Sequence, residues 1–243
     1  MGNIVDDIRA NEDTFADRPF NEVDSLALAQ LSYARMPVNV PRLDAEATDV
    51  DLAMVGVRDL LRAECYDDMF GKVWSPSMNV DLLRAMCESP RWRDLRVGGY
   101  VDEFDPETTK QFSACVFDVG DGSSYVAFRG TDSTIVGWKE DFAMAFRRPV
   151  AAQESAARYL ADIAGRRDGP LMVGGHSKGG NLAVYAAANA PAAVQERLIA
   201  VFCHDGPGFD ADFFDTPGYA RVAPLVDKSV PESSIVGMLF EMR

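Results

Sequence analysis

Apolar and polar positions change their spacing near residue 95, and the chain reads differently on either side. Before it, apolar residues recur at helical intervals. Asn21 to Met36 (NEVDSLALAQLSYARM) sets Leu26, Ala29, Gln30 and Tyr33 along or beside one face and predicts a helix ended by Pro37. Val57 to Phe70 and Asn79 to Cys87 predict two more, the second capped by Asn79 and ended before Pro90. The first 19 residues are polar and read as loosely held up to Pro19, and residues 37 to 56 read as an irregular connection. After residue 95 the runs shorten and become β-branched and aromatic. Arg96 to Phe104, Gln111 to Val119 and Ser124 to Phe128 predict three strands, with turns at Asp105-Pro106 and Gly120-Asp121-Gly122. Helices and strands then alternate. Gly137 to Phe146 and Gln153 to Ala164 predict helices, the latter closed by Gly165. Pro170 to Gly174 predicts a strand, and Gly179 to Ala190 an alanine-rich helix stopped by Pro191. Leu198 to Cys203 and Tyr219 to Val226 predict the last two strands.

A strand meander followed by β-α-β-α-β predicts an α/β fold, a mostly parallel sheet with helices on both faces. The change at residue 95 predicts an N-terminal helical extension or cap over 1–95 and the sheet-bearing core over 96–243. In such sheets, sites lie beyond the carboxyl ends of the strands, so the residues that follow each strand carry the chemistry.

One such position stands out. Gly175-His176-Ser177-Lys178-Gly179 is a G-x-S-x-G that follows an apolar strand and opens a helix. A serine on so tight a turn is pushed out above the sheet, and glycines on either side remove the clash that bulkier neighbours would make. The helix N-terminus offers backbone N–H groups to a developing oxyanion. Ser177 is therefore the candidate nucleophile and the Lys178 N–H the first candidate oxyanion donor, with the Lys178 side chain turned away. His176 points apart from its neighbour and reads as packing. The order G-x-x-x-x-G-K-[ST] of a phosphate loop is absent.

A second turn, Phe128-Arg129-Gly130-Thr131, ends an inner strand, where hydrolases of this kind place their second oxyanion donor. With Trp138 and Gly175 to Gly180, this resembles the class 3 lipases, whose signature is F-R-G-[ST], a tryptophan a few residues on, and later G-H-S-x-G-G. More widely the chain is similar to an uncharacterised bacterial family of lipase-like proteins, over Phe20 to Tyr33, Phe128 to Ala152, Gly174 to Ala188, Asp205 to Phe209 and Pro231 to Leu239. The resemblance implies an α/β-hydrolase fold and an ester or lipid substrate. It also implies that Thr131 supplies a backbone N–H, and its hydroxyl, to the oxyanion. In class 3 lipases a lid follows the first turn, so Trp138, Phe142, Met144 and Phe146 are candidates to face an acyl chain.

The partners of the serine are expected in the order acid, then histidine. Two aspartates fit the acid. Asp227 follows the second predicted strand after the elbow, the usual place, and is the preferred acid; Asp205 follows the first and heads Asp-Gly-Pro-Gly, so it also reads as a turn residue. The chain holds two histidines, and neither follows these aspartates. Proteins of the resembled family bring a histidine from further on, so the core is expected to continue into a last strand and helix, and the base is expected beyond Arg243, in a loop after one further strand, or as His204, which sits at a strand's carboxyl end. Without a base, a hydrolase of this kind keeps ~10³–10⁴-fold catalysis over water, and the same fold then serves as a binding or scaffold protein.

Composition narrows the partners. Thirty-eight acidic against 24 basic residues give a net charge of -14, which repels nucleic acid. The start is acidic and lacks the features of a signal peptide, and Asp6 stands where an N-terminal acylation signal needs Ser or Thr. No apolar run is long enough to span a membrane. Cys65, Cys87, Cys115 and Cys203 lack metal-ligand spacing, and with no export signal they fit a reduced cytoplasm. A Ser nucleophile needs neither metal nor organic cofactor.

Overall fold

The computed structural model describes residues 2–44, 52–105, 107, 110–131 and 149–232. Among these residues the sheet has seven strands, in the order in which they occur along the chain: β1 (Met54–Gly56), β2 (Arg96–Asp105), β3 (Lys110–Asp118), β4 (Ser124–Phe128), β5 (Leu171–His176), β6 (Leu198–His204) and β7 (Val226–Ser229). Pairing is antiparallel from β1 to β4 and parallel from β4 to β7. This is the expected α/β-hydrolase-type sheet, parallel in the half that carries the elbow.

The middle strands are apolar at almost every position because both of their faces are buried. On one face Val126, Phe128, Val173, Val201 and Cys203 pack under α5 (Ala151–Arg166), α6 (Lys178–Asn189) and α9 (Pro217–Val222). On the other, Cys115, Phe117, Tyr125, Ala127, Met172 and Phe202 meet the N-terminal elements: α1 (Ile4–Ala10), α2 (Glu22–Leu31), α3 (Tyr66–Phe70) and α4 (Pro76–Glu88). Two short helices complete the described set, α7 (Ala192–Gln195) and α8 (Ala211–Phe214).

The N-terminal stretch is more ordered than its polarity suggests. Asn3 caps α1 in a capping box with Asp6, and Val5 and Ile8 are buried. The buried Arg91 anchors residues 13–19. Its guanidinium donates to the carbonyls of Asp13, Thr14, Arg18 and Pro19, pairs with the buried Asp24 and lies 4.0 Å above the Phe15 ring. The predicted helix over 21–36 is shorter, Glu22–Leu31, with Asn21 and Asp24 forming its capping box.

Three sequence expectations are corrected. Val57 to Phe70 is not one helix but two 3-10 turns and the five-residue α3. Asn79 does not cap α4, which begins at Pro76; it lies inside the helix, its amide donating to the carbonyls of Trp74 and Ser75. Tyr219 to Val226 is not a strand. Thr216 caps α9, Pro217 takes its first position, and the strand begins only at Val226. The predicted helix Gly137 to Phe146, with Trp138, Phe142 and Met144, lies outside the described residues.

Candidate active site

Ser177 lies between β5 and α6 with φ 55° and ψ -128°, a conformation that costs a non-glycine residue about 1–3 kcal/mol and persists only where the surroundings enforce it. The enforcement is visible in the glycines. A Cβ on Gly179 would fall 2.2 Å from the Phe128 carbonyl oxygen, and one on Gly175 would fall 2.5 Å from the same oxygen. The end of β4 is thus pressed into the elbow, and only glycine admits it. The Ser177 N–H is held by the His204 carbonyl at 2.8 Å.

The second turn sits against the first. A Cβ on Gly130 would meet the Tyr33 hydroxyl at 2.0 Å and the His176 carbonyl oxygen at 2.6 Å. Phe128-Arg129-Gly130-Thr131 and Gly175 to Gly179 are therefore in close approach, with the half-buried Thr131 one residue beyond the contact. The Lys178 side chain is turned inward: it is 1% exposed, and its ammonium donates to the Gln111 carbonyl at 2.8 Å.

Strand register sets the histidines. His176, His204 and Ser229 are partners in one row at the carboxyl edge of the sheet. His204 is buried and wedged between hydroxyls: Nε2 lies 2.9 Å from Ser25 Oγ and Nδ1 lies 2.8 Å from Ser229 Oγ. Ser25 Oγ continues to the Tyr125 hydroxyl at 2.8 Å. Burial, with the neighbouring His176 adding to it, pushes the His204 pKa down to about 4. The His176 Nδ1 lies 3.0 Å from the Tyr33 hydroxyl; burial lowers its pKa, and the carboxylate of Asp205 partly opposes this.

The two candidate acids are placed differently. Asp205 follows β6 directly, at φ 52°, and its N–H donates to the Ser229 carbonyl at 2.7 Å, so it stands at the carboxyl edge. Asp227 does not follow a strand. It lies inside β7 opposite Phe202, exposed, and two residues short of the row that holds His204 and Ser229.

A buried polar network went unforeseen. Asn181, in the first turn of α6, donates to the carbonyls of Pro207 (3.0 Å) and Gly208 (3.2 Å). Its own oxygen accepts from Gln153, whose oxygen accepts from the Val150 N–H. Asp205-Gly206-Pro207-Gly208 is thereby tied down beside the elbow. The signal in the sequence was a polar amide at a core position of each of two alanine-rich helices; Ser25, among alanines and leucines in α2, gave a similar one.

Among the described residues no group of His, Cys, Asp and Glu is arranged to hold a metal, and no helix is long and apolar enough to cross a membrane. A cavity of about 390 Å³ is lined by Tyr100, Asp102, Phe112 and Tyr159, among others, but by no residue of the elbow.

Comparison with known proteins agrees with this architecture. The chain is similar to the crystal structure of M37 lipase, with a TM-score of 0.52 and 15% identity, over 86% of this chain and 66% of that one. At that identity the likeness speaks for the fold, and this chain spans just under two thirds of that lipase. No curated protein matches it. A family model described as Mbeg1-like matches residues 86–243, more than half of the chain. With a lipase-like α/β fold and the elbow inside the matched region, this chain belongs to the Mbeg1-like family.

Proposed function

We propose that this protein is a serine hydrolase of carboxylic esters, lipid esters among them, with Ser177 as nucleophile. The observation that carries the reading is the strained Ser177 backbone on a strand-to-helix turn whose glycines are required by contact with β4. Ser177 Oγ attacks the ester carbonyl and its proton passes to a base. The oxyanion accepts hydrogen bonds from the Lys178 and Thr131 N–H groups, with the Thr131 hydroxyl beside them. The intermediate collapses with cleavage of the ester C–O bond, the base returns its proton to the departing alcohol, and water then attacks the acyl-enzyme to release the carboxylic acid and restore Ser177; neither metal nor cofactor enters. For the acid we favour Asp205 over Asp227, because Asp205 stands at the carboxyl edge and Asp227 is set back inside β7. Two bases are compatible with the site, His204 and a histidine outside these 243 residues. The geometry favours the second, since both His204 nitrogens are held by serines and its burial makes it a weak base. Four cysteines without a described disulfide suit a cytoplasmic location.

The test is covalent labelling with a fluorophosphonate probe, read by mass spectrometry. The expected result is an adduct on Ser177 that is lost in Ser177→Ala and kept in His204→Gln. A folded protein that stays unlabelled, alone and when extended by a histidine-bearing C-terminal segment, overturns the reading. It would leave a second one, a binding or scaffold protein on a hydrolase fold, which the engagement of both histidines in structural hydrogen bonds favours.

A further inference from the structure

The chemistry proposed for Ser177 needs two backbone amides, those of Lys178 and Thr131, held a fixed distance apart. They belong to different loops, and neither loop sets that distance alone. Neighbouring side chains tie both loops to a third element. Lys178 is 1% exposed, and its ammonium donates to the Gln111 carbonyl at 2.8 Å. Arg129, two residues before Thr131, is 5% exposed; its guanidinium donates to Asp102 Oδ1 at 2.9 Å and its N–H to the Ser113 carbonyl at 3.0 Å. Asp102, Gln111 and Ser113 lie in one hairpin, β2–β3, where Asp102 is the register partner of Ser113 and Phe104 of Gln111.

Packing alone does not call for these residues. Burying an ammonium or a guanidinium costs several kcal/mol of solvation, and it is tolerated only when hydrogen bonds replace the water. An apolar side chain at either position would fill the same space without that cost. It would not fix a distance. A charged head bonded to a backbone carbonyl or a carboxylate does, and Arg, with its rigid fork, does so in direction as well as distance.

We infer that the β2–β3 hairpin is a clamp that sets the spacing of the two amide donors, with Arg129, Asp102 and the side chain of Lys178 as its positioning residues. This rests on the reading of Ser177 given above. A misplacement of about 1 Å can cost ~10²-fold in rate, and full loss of one donor ~10²–10³-fold.

The experiment uses Asp102→Asn, Lys178→Met and Lys178→Arg in the full chain. Lys110→Gln serves as control, because Lys110 pairs with Glu103 in the same hairpin. Amide hydrogen exchange is followed at Gly130 and Thr131 and at Lys178 and Gly179. The rate of fluorophosphonate labelling at Ser177 and the ester kinetics are followed in parallel. The expected result is ~10-fold faster exchange at the first pair in Asp102→Asn and at the second in Lys178→Met, with the central strands unchanged. Labelling and kcat fall ~10- to 100-fold while KM moves less than ~3-fold. Lys178→Arg restores most of the loss and Lys110→Gln alters nothing. Unchanged exchange at those amides overturns the clamp, and so does a rise spread evenly over β3 to β5, which marks lost stability alone. If the unmodified protein is labelled neither alone nor when extended by a histidine-bearing C-terminal segment, the Ser177 reading fails by itself and the exchange measurements still decide the clamp.

Discussion

Two residues at the carboxyl edge show how local chemistry constrains this molecule. Gly179 has no room for a side chain: an added Cβ would lie 2.2 Å from a backbone oxygen of β4, which cannot swing aside as a side chain can. Gly179→Ala is expected to destabilise the fold by about 3 kcal/mol, at the upper end of overpacking costs, read as a lowered urea midpoint at constant m-value. A loss under about 0.5 kcal/mol, the scatter of surface substitutions, would mean that the β4–elbow contact is slack. His204 makes a prediction in pH. Its folded pKa of about 4 lies below its unfolded value near 6.5, so the unfolded chain takes up the proton first as pH falls. The stability due to neutral His204 is fully present above about pH 6.5, declines between about 6.5 and 4, and is lost below that, with a total on the order of 3 kcal/mol. His176, also lowered, acts in the same direction. His204→Gln should flatten the stability curve across that window in urea melts taken from pH 7 to 4; an unchanged slope would show that His204 titrates normally in the fold.

At the scale of elements, α2 is joined to the rest by a buried ion pair, and that pair sets a further expectation. Asp24 and Arg91 are both nearly inaccessible, and Arg91 holds four carbonyls of the preceding segment. Removing the carboxylate leaves a buried guanidinium unbalanced. Asp24→Ala is expected to cost about 3–5 kcal/mol and to open residues 13–19 to limited proteolysis, with cleavage there preceding cleavage elsewhere. That polar segment read as loose because its anchor, Arg91, lies more than 70 residues away in sequence. The strands of the meander and the elbow were legible, since β-branched runs bounded by Asp-Pro, Gly-Asp-Gly and G-x-S-x-G signal themselves within a few residues. Tyr219 to Val226 was misread because its apolar content outweighed Thr216-Pro217, a helix start present in the sequence. Of the candidate site, Ser177, Lys178 and Thr131 were legible as a motif. The surroundings of His204 were not, because Ser25, His204 and Ser229 meet only through the packing of α2 on the sheet and the pairing of β6 with β7.

For the whole molecule the question is whether residues 1–95 are an accessory layer on the hydrolase core of 96–243 or a structural part of it. In the described residues, α5, α6 and α9 all cover one face of the sheet, and the opposite face is covered by chain that precedes residue 95. Leu28, Leu31, Leu82, Leu83 and Trp92 pack in the same cluster as Phe117, Tyr125, Met172 and Phe202. β1 pairs with β2, and hydrogen bonds cross from Ser25 to Tyr125 and His204 and from Tyr33 to His176. Without residues 1–95 the strands would expose a face built for burial, an apolar patch well beyond the few hundred Å² that soluble monomers commonly show, and the histidines at the site would lose their partners. The full chain is therefore expected to unfold in one cooperative transition, with near-UV and far-UV circular dichroism coinciding in urea. The fragment 96–243 is expected to keep helical signal, lose near-UV structure and bind a hydrophobic dye, as loosely packed states do. A fragment that melts cooperatively at the midpoint of the full chain would make the N-terminal elements a dispensable cap. Retention of fluorophosphonate labelling by that fragment would place the positioning of Ser177 wholly within β4 to β6.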